Sequence, residues 1–181
     1  SNKYDVAFKN LRMFLDKEID AILCVRGGYG CTRILDLIDF TIIRDHPKIF
    51  IGFSDITALH IAINKICNLV TYHGIMAASK KKWDYFTYNS LIDSLNFKDE
   101  LILRNPYNEE FISLYEGFCE GILVGGNLSL IISTLGTKYE IDTKDKILFI
   151  EEVGEYTYKI DKMLNHLQMA GKIEECRGII F

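Results

Sequence analysis

Proline is scarce in this chain, with two residues in 181, and no stretch is dominated by charge of one sign. With 49% apolar and 25% charged residues, the composition excludes an extended disordered protein and allows a sizeable buried core. No apolar run approaches the 18 or so residues of a membrane span, and no signal peptide is evident. The five cysteines, Cys24, Cys31, Cys67, Cys119 and Cys176, are odd in number and form no C-x-x-C pair. That argues against a disulfide framework and against a cysteine-based zinc site, reads Cys24 and Cys67 as buried thiols, and fits a reducing, cytoplasmic compartment. The net charge of −4 argues against nucleic acid and against an anionic membrane surface, both of which are met with positive charge. The dense basic run, Lys80-Lys81-Lys82, is short and reads as a solvated loop.

What is present is an alternation. Val6, Phe8, Leu11, Phe14, Leu15 and Ile19 are spaced for one helix face. Ala21 to Val25 is a short apolar run stopped by Arg26-Gly27-Gly28-Tyr29-Gly30. Helical spacing returns at Ile34, Leu35, Leu37 and Ile38. Ile49 to Ile51 ends at Gly52, a helix follows over Asp55 to Cys67, and Leu69 to Tyr72 reads as a further strand. Helices alternating with short, fully apolar strands predict an α/β fold with an open, mostly parallel sheet. Residues 1–78 form this N-terminal part and residues 79–115 read as a linker with small elements. Residues 116–181 read as part of a smaller α+β C-terminal domain. Within it, Gly121 to Val124 is a strand, Gly125-Gly126-Asn127 a turn and Leu128 to Leu135 a helix. Ile147 to Ile150 is a strand, Tyr158 to Ala170 a helix stopped by Gly171, and Gly178 to Phe181 the start of another strand. A chain that opens in a helical pattern and stops in a strand reads as a piece of a larger molecule.

Chemistry concentrates at strand ends. Ser54 follows Gly52 at a strand-to-helix turn, and two readings compete. A serine there caps a helix, with Asp55 favourable in the first turn. Alternatively it is a nucleophile on a tight elbow, with a small residue required two positions before it and the next N–H stabilising an oxyanion. Ile56 stands where the G-x-S-x-G form wants glycine. The Arg26–Gly30 loop matches neither G-x-G-x-x-G nor the P-loop lysine pattern. It is a structural turn or a loop whose N–H groups face Ser54 across adjacent strand ends. Glu151, Glu152 and Glu155 are solvated charge or, on alternation, one acid directed into a site. Glu151 shares a face with Ile147 and Phe149, Glu152 with Leu148 and Ile150. Of the four histidines, His73 is conceivable as a base; His46, His60 and His166 have no suitable context. No His, Cys and acid cluster has metal-ligand spacing, so neither a metal nor a cofactor is expected.

Five stretches in order, AILCVRGGYGCTRILDLID, PKIFIGFSDITALHIAI, TYHGIMAAS, GILVGGNLSLIISTLGT and ILFIEEVGEYTYKIDKMLNHLQMAGKI, resemble the LD-carboxypeptidase family of serine peptidases. The resemblance runs from about Ala21 to Phe181. The same family includes enzymes of immunity to peptide-nucleotide antibiotics of the microcin C type. The resemblance implies a metal-free Ser-His-Glu triad that hydrolyses an L,D amide, releasing D-alanine from a murein tetrapeptide in cell-wall recycling. It makes Ser54 the nucleophile and Glu151 the acid, with the N–H groups of Asp55 and Gly28 as oxyanion donors. Asn127 is a further residue shaping the substrate site. The family's histidine lies several dozen residues beyond the glutamate, so the resemblance implies that this chain alone is inactive or nearly so. Glu152 stands where the family has aspartate. The expected partners are a murein peptide and a second copy of the chain as a homodimer. Two alternatives stand beside this reading. One is an immunity peptidase, for which Trp83 and nearby aromatics would stack on a base; the other is a non-catalytic module that holds murein peptides.

Overall fold

The structure is a computed structural model that describes residues 11–79, 83–96 and 102–181. Contacts divide the chain into two compact units, one made of the residues up to Ala77 together with Cys119–Phe181, the other of Ala78–Phe118.

The first unit holds two sheets of three strands each, all parallel, so the fold is α/β. In the first sheet β1 (Ala21–Leu23), β2 (Ile49–Gly52) and β3 (Tyr72–His73) lie side by side, with Leu23 opposite Ile51 and Gly52 opposite His73. In the second, β4 (Leu123–Asn127), β5 (Ile147–Glu151) and β6 (Gly178–Ile180) follow the same order, and Asn127 pairs with Glu151. The C-terminal part, expected as α+β, therefore has a parallel sheet with crossover helices.

Helices join the strands. After β1 the chain makes two 3-10 turns, Cys31–Arg33 and Leu35–Leu37, and then α1 (Phe40–Asp45), capped by Asp39 accepting from the Thr41 N–H. Between β2 and β3 runs α2 (Thr57–Cys67). In the second sheet α4 (Leu128–Thr134) follows β4, and α5 (Thr157–Met169) follows β5. α2 is buried on every side from Thr57 to Ile63, the mark of a helix inside a core. Ala58, Leu59, Ala62 and Ile63 pack with Phe14, Ile22, Leu35 and Phe50, whereas Ile61 packs with Val124, Leu128, Ile131, Leu148 and Leu167. One helix thus supplies both hydrophobic cores and fixes the two sheets to each other.

One expectation about the second sheet is corrected here. Gly125-Gly126-Asn127 is not a turn: β4 runs through all three residues. A β-carbon on Gly125 would lie 1.8 Å from the Phe149 carbonyl oxygen, so glycine lets the two strands meet where the run looked like a break. The segment expected as a linker with small elements holds an 11-residue helix, α3 (Tyr85–Leu95), whose N-terminus is capped by Asp84. The expected helix from Val6 begins outside the described residues, and 11–15 are helical. The run Lys80-Lys81-Lys82 also lies outside them.

Candidate active site

The turn after β2 answers the question that Ser54 poses. Ser54 has φ 63, in the left-handed region, between an extended Phe53 and the 3-10 turn Ser54–Ile56 that leads into α2. Such a backbone costs a non-glycine residue about 1–3 kcal/mol, and strain of this kind collects at functional sites. The Ser54 hydroxyl caps nothing: among the described residues it makes no hydrogen bond, and neither the 3-10 turn nor α2 has a side-chain cap. Gly52 is required by the bend, since a β-carbon there would lie 2.9 Å from Ile56 Cγ2 and 3.1 Å from Cys24. The turn is a tight strand-to-helix bend that leaves the serine hydroxyl uncommitted, and Ile56 fills the space in front of Gly52.

The glycine loop lies against this elbow. A β-carbon on Gly27 would meet Ser54 Cβ at 3.0 Å and Oγ at 3.1 Å, so Gly27 is the loop residue in contact with the serine. Gly28 follows with φ 143. The tie between loop and elbow is Asp55, 5% exposed, whose Oδ2 accepts the Cys31 N–H at 3.0 Å. The same carboxylate, after burial, pushes the Cys31 thiol far up, and burial pushes Cys24 to about 11. Both remain thiols at neutral pH.

A second cluster forms at the carboxyl ends of β3, β4 and β5, where sites gather in parallel sheets. Gly126 brings β4 onto the first turn of α2: a β-carbon there would lie 2.7 Å from Thr57 Oγ1 and 3.3 Å from His73 Nδ1. Asn127, 8% exposed, donates its backbone N–H to Thr57 Oγ1 at 3.1 Å and accepts from the Leu130 N–H at the start of α4. Its amide nitrogen reaches Glu151 Oε2 at 3.4 Å and Glu152 Oε1 at 3.3 Å. Alternation suggested that these two acids part; Asn127 instead bridges them. Glu152 is committed to α4, accepting the Ser129 N–H at 3.0 Å and the Ser129 hydroxyl at 2.5 Å. Burial pushes the Glu152 carboxyl up, but bonds from Ser129, Val153 and Asn127 outweigh it and hold it below the usual range. Glu155, the third acid, pairs with Lys159 at 2.8 Å.

His73 faces Glu151, Nε2 to Oε2 at 3.9 Å, but neither of its nitrogens faces Ser54 in a hydrogen bond. His60 Nε2 bonds the Gly52 carbonyl at 2.8 Å beneath the elbow, and burial holds its pKa down at about 4. His46 and His166 are exposed on other parts of the surface. Sequence reasoning missed two members of the arrangement: Thr57 was hidden inside the apolar pattern of α2, and Gly126 was read as a turn residue. Among the described residues there is no group of three or more His, Cys, Asp or Glu able to hold a metal ion, and no helix long and apolar enough to cross a membrane.

A strained serine thus stands at the end of a parallel strand, with a glycine loop against it and a carboxylate at the strand ends of the neighbouring sheet. The chain belongs to the LD-carboxypeptidase family: residues 7–74 match its N-terminal domain and residues 120–181 its C-terminal domain. It is 48% identical over 177 residues to a Bacillus subtilis protein named "Probable murein peptide carboxypeptidase", covering 93% of this chain and 53% of that one. Among solved structures it is similar to the muramoyltetrapeptide carboxypeptidase of Oxalobacter formigenes, with TM-score 0.82 and 25% identity over 99% of this chain and 60% of that one. It is also similar to an MccF-like protein from Bacillus anthracis, with TM-score 0.85 and 30% identity over 99% and 62%. The chain spans about half the length of the curated relatives it matches.

Proposed function

We propose that this chain carries the nucleophile and the acid of a serine carboxypeptidase that cleaves an L,D amide bond and releases D-alanine from murein tetrapeptide. The observation that carries the reading is Ser54 itself, held at φ 63 with its hydroxyl uncommitted and Gly27 against it. In this mechanism the Ser54 hydroxyl oxygen attacks the carbonyl of the L-centre as its proton passes to a base. The oxyanion is met by the N–H of Asp55, at the start of a helix whose first donors have no partner within it, and by the N–H of Gly28. The amine of D-alanine leaves with that proton, and water then cleaves the acyl-enzyme. Glu151 orients the base, and Asn127 keeps the carboxylate in place while facing the substrate side of the strand ends.

The base is assigned to a histidine outside these 181 residues. His73 and His60 have their Nε2 atoms directed at Glu151 and at the Gly52 carbonyl, and His46 and His166 lie elsewhere. A triad without its base keeps only a small part of its rate. The reading therefore has the chain alone inactive or nearly so, and places the work in the cytoplasm, in cell-wall recycling, which suits five free thiols.

The test is D-alanine release from a murein tetrapeptide by the full-length protein, by its Ser54→Ala variant and by this chain alone. Release by the full-length form, cut at least about a thousandfold by Ser54→Ala, supports the assignment; near-wild-type turnover in the variant overturns it. A second reading, immunity by hydrolysis of a peptide-nucleotide, is favoured by the likeness to the MccF-like protein. Cleavage of an aminoacyl sulfamoyl adenosine with no D-alanine release would select it. Binding of murein peptide without any turnover would select a non-catalytic module.

A further inference from the structure

We propose that His73 is a positioning residue for Glu151, holding one oxygen of the carboxylate so that the other stays available to the base. The inference rests on the reading of Glu151 as the acid of the site.

The ring is fixed from several sides. Phe149 meets it edge-on at 5.2 Å between centroids, Phe53 lies at 6.1 Å and His60 at 6.2 Å. Nδ1 is buried without a partner, and a β-carbon on Gly126 would lie 3.3 Å from it. A buried N–H with no acceptor is rarer and costlier than a buried lone pair with no donor, which puts the proton on Nε2. That N–H is directed at Glu151 Oε2. At 3.9 Å the pair is beyond hydrogen-bond length, and a side-chain movement of about 1 Å closes it. Both side chains are partly exposed, His73 at 22% and Glu151 at 27%, and the aromatic contacts hold the imidazole in place.

Two donors then converge on one atom, since the Asn127 amide nitrogen also reaches Oε2, at 3.4 Å. Among the described residues Oε1 has no partner. A carboxylate bonded on one oxygen and open on the other is oriented for an imidazole N–H, the role of a triad acid. Burial lowers the His73 pKa, so the ring stays neutral at working pH. The charged or titratable groups around it are Glu151 on β5, His60 and Lys65 on α2, and Asp142 before β5. The last three line, with His73, one cavity of about 270 Å³.

Imidazole nitrogen NMR of this chain tests the tautomer and the coupling directly. The expected result is a neutral His73 with its proton on Nε2 at pH 7, whose N–H signal moves in Glu151→Gln. A proton on Nδ1, a charged ring, or no response to Glu151→Gln would overturn the proposal. In the full-length protein, His73→Phe keeps the ring packing and should lower kcat about tenfold with KM little changed. It should also move the acid limb of the kcat/KM profile upward, and His73→Gln, which restores a donor, should recover part of both. An unchanged profile in His73→Phe overturns the proposal as well. Full activity in Glu151→Gln would instead remove the acid assignment, an outcome distinguishable because the coupling seen by NMR does not depend on turnover.

Discussion

Thr57 Oγ1 accepts the backbone N–H of Asn127 at 3.1 Å, and this buried bond spans 70 positions in sequence. It joins the first turn after the candidate nucleophile to the last residue of the strand beside the candidate acid. Thr57 is fully buried, so a valine in its place keeps the shape and leaves the Asn127 N–H unpaired. Thr57→Val should cost about 1–3 kcal/mol, read as a lower urea midpoint at unchanged slope, and Thr57→Ser should cost less. Gly126→Ala attacks the same contact by bringing a β-carbon 2.7 Å from Thr57 at φ 138, and should be worse than either. Equal stability of Thr57→Val and wild type would show that the bond does not fasten the two sheets.

His60 gives the fold a pH dependence. Its Nε2 donates to the Gly52 carbonyl, so Nδ1 carries the lone pair, and Nδ1 is buried without a partner. Burial is the main cause that lowers its pKa from 6.5 to about 4; the bond to Gly52 opposes it. Between those values the unfolded chain binds a proton that the folded chain does not, so stability rises with pH. The contribution is fully present above pH 6.5 and lost as pH falls toward 4, on the order of 3 kcal/mol in all. Urea denaturation from pH 7 to pH 4 should show this slope, and His60→Gln should flatten it. A variant that loses stability with the same pH slope as wild type would place the titration elsewhere.

Much of the first sheet was legible because its strands are short, wholly apolar and stopped by glycines, as parallel strands buried on both faces must be. Ala21–Leu23 and Ile49–Gly52 match the predicted runs, and α2 ends at Cys67 as expected but starts at Thr57, because the expected first residues, Asp55 and Ile56, belong to a 3-10 turn. The helical spacing read at Ile34 to Ile38 falls on a 3-10 turn, and the α-helix itself, α1, follows it behind Asp39. What was not legible depends on contacts between distant segments. Gly125-Gly126 has the composition of a turn, and only the approach of Phe149 and Thr57 makes it strand. The bridging of Glu151 and Glu152 by Asn127 contradicts the alternation of an isolated strand. α3 escaped because none of its residues is buried, so no apolar face marks it.

Asp55 should prove a fastener of the loop as well as a neighbour of the nucleophile. Its buried carboxylate is what the Cys31 N–H finds on leaving the glycine turn. Asp55→Ala removes a hydrogen bond to a charged acceptor, a loss of about 1.5–3 kcal/mol; Asp55→Asn keeps an oxygen and should lose less. Amide hydrogen exchange at Cys31 should accelerate in Asp55→Ala more than exchange in α5, which lies in the other core. Uniform acceleration across both would mean that the variant merely unfolds more often and that the loop has no separate tie.

Ser54 sets function against stability, and two substitutions separate the terms. Both Ser54→Ala and Ser54→Gly remove the hydroxyl and should abolish turnover in the full-length protein. Only glycine removes the cost of φ 63, because alanine keeps the β-carbon that makes the left-handed region unfavourable. Ser54→Gly should therefore be more stable than Ser54→Ala by about 1 kcal/mol, measurable in this chain without any substrate. The hydroxyl itself has no hydrogen bond to lose, so Ser54→Ala should sit close to wild type. If glycine gives no gain over alanine, the turn is relaxed and the serine is not held under strain. If alanine is markedly less stable than wild type, the hydroxyl has a structural partner after all, and the case for Ser54 as an uncommitted nucleophile fails.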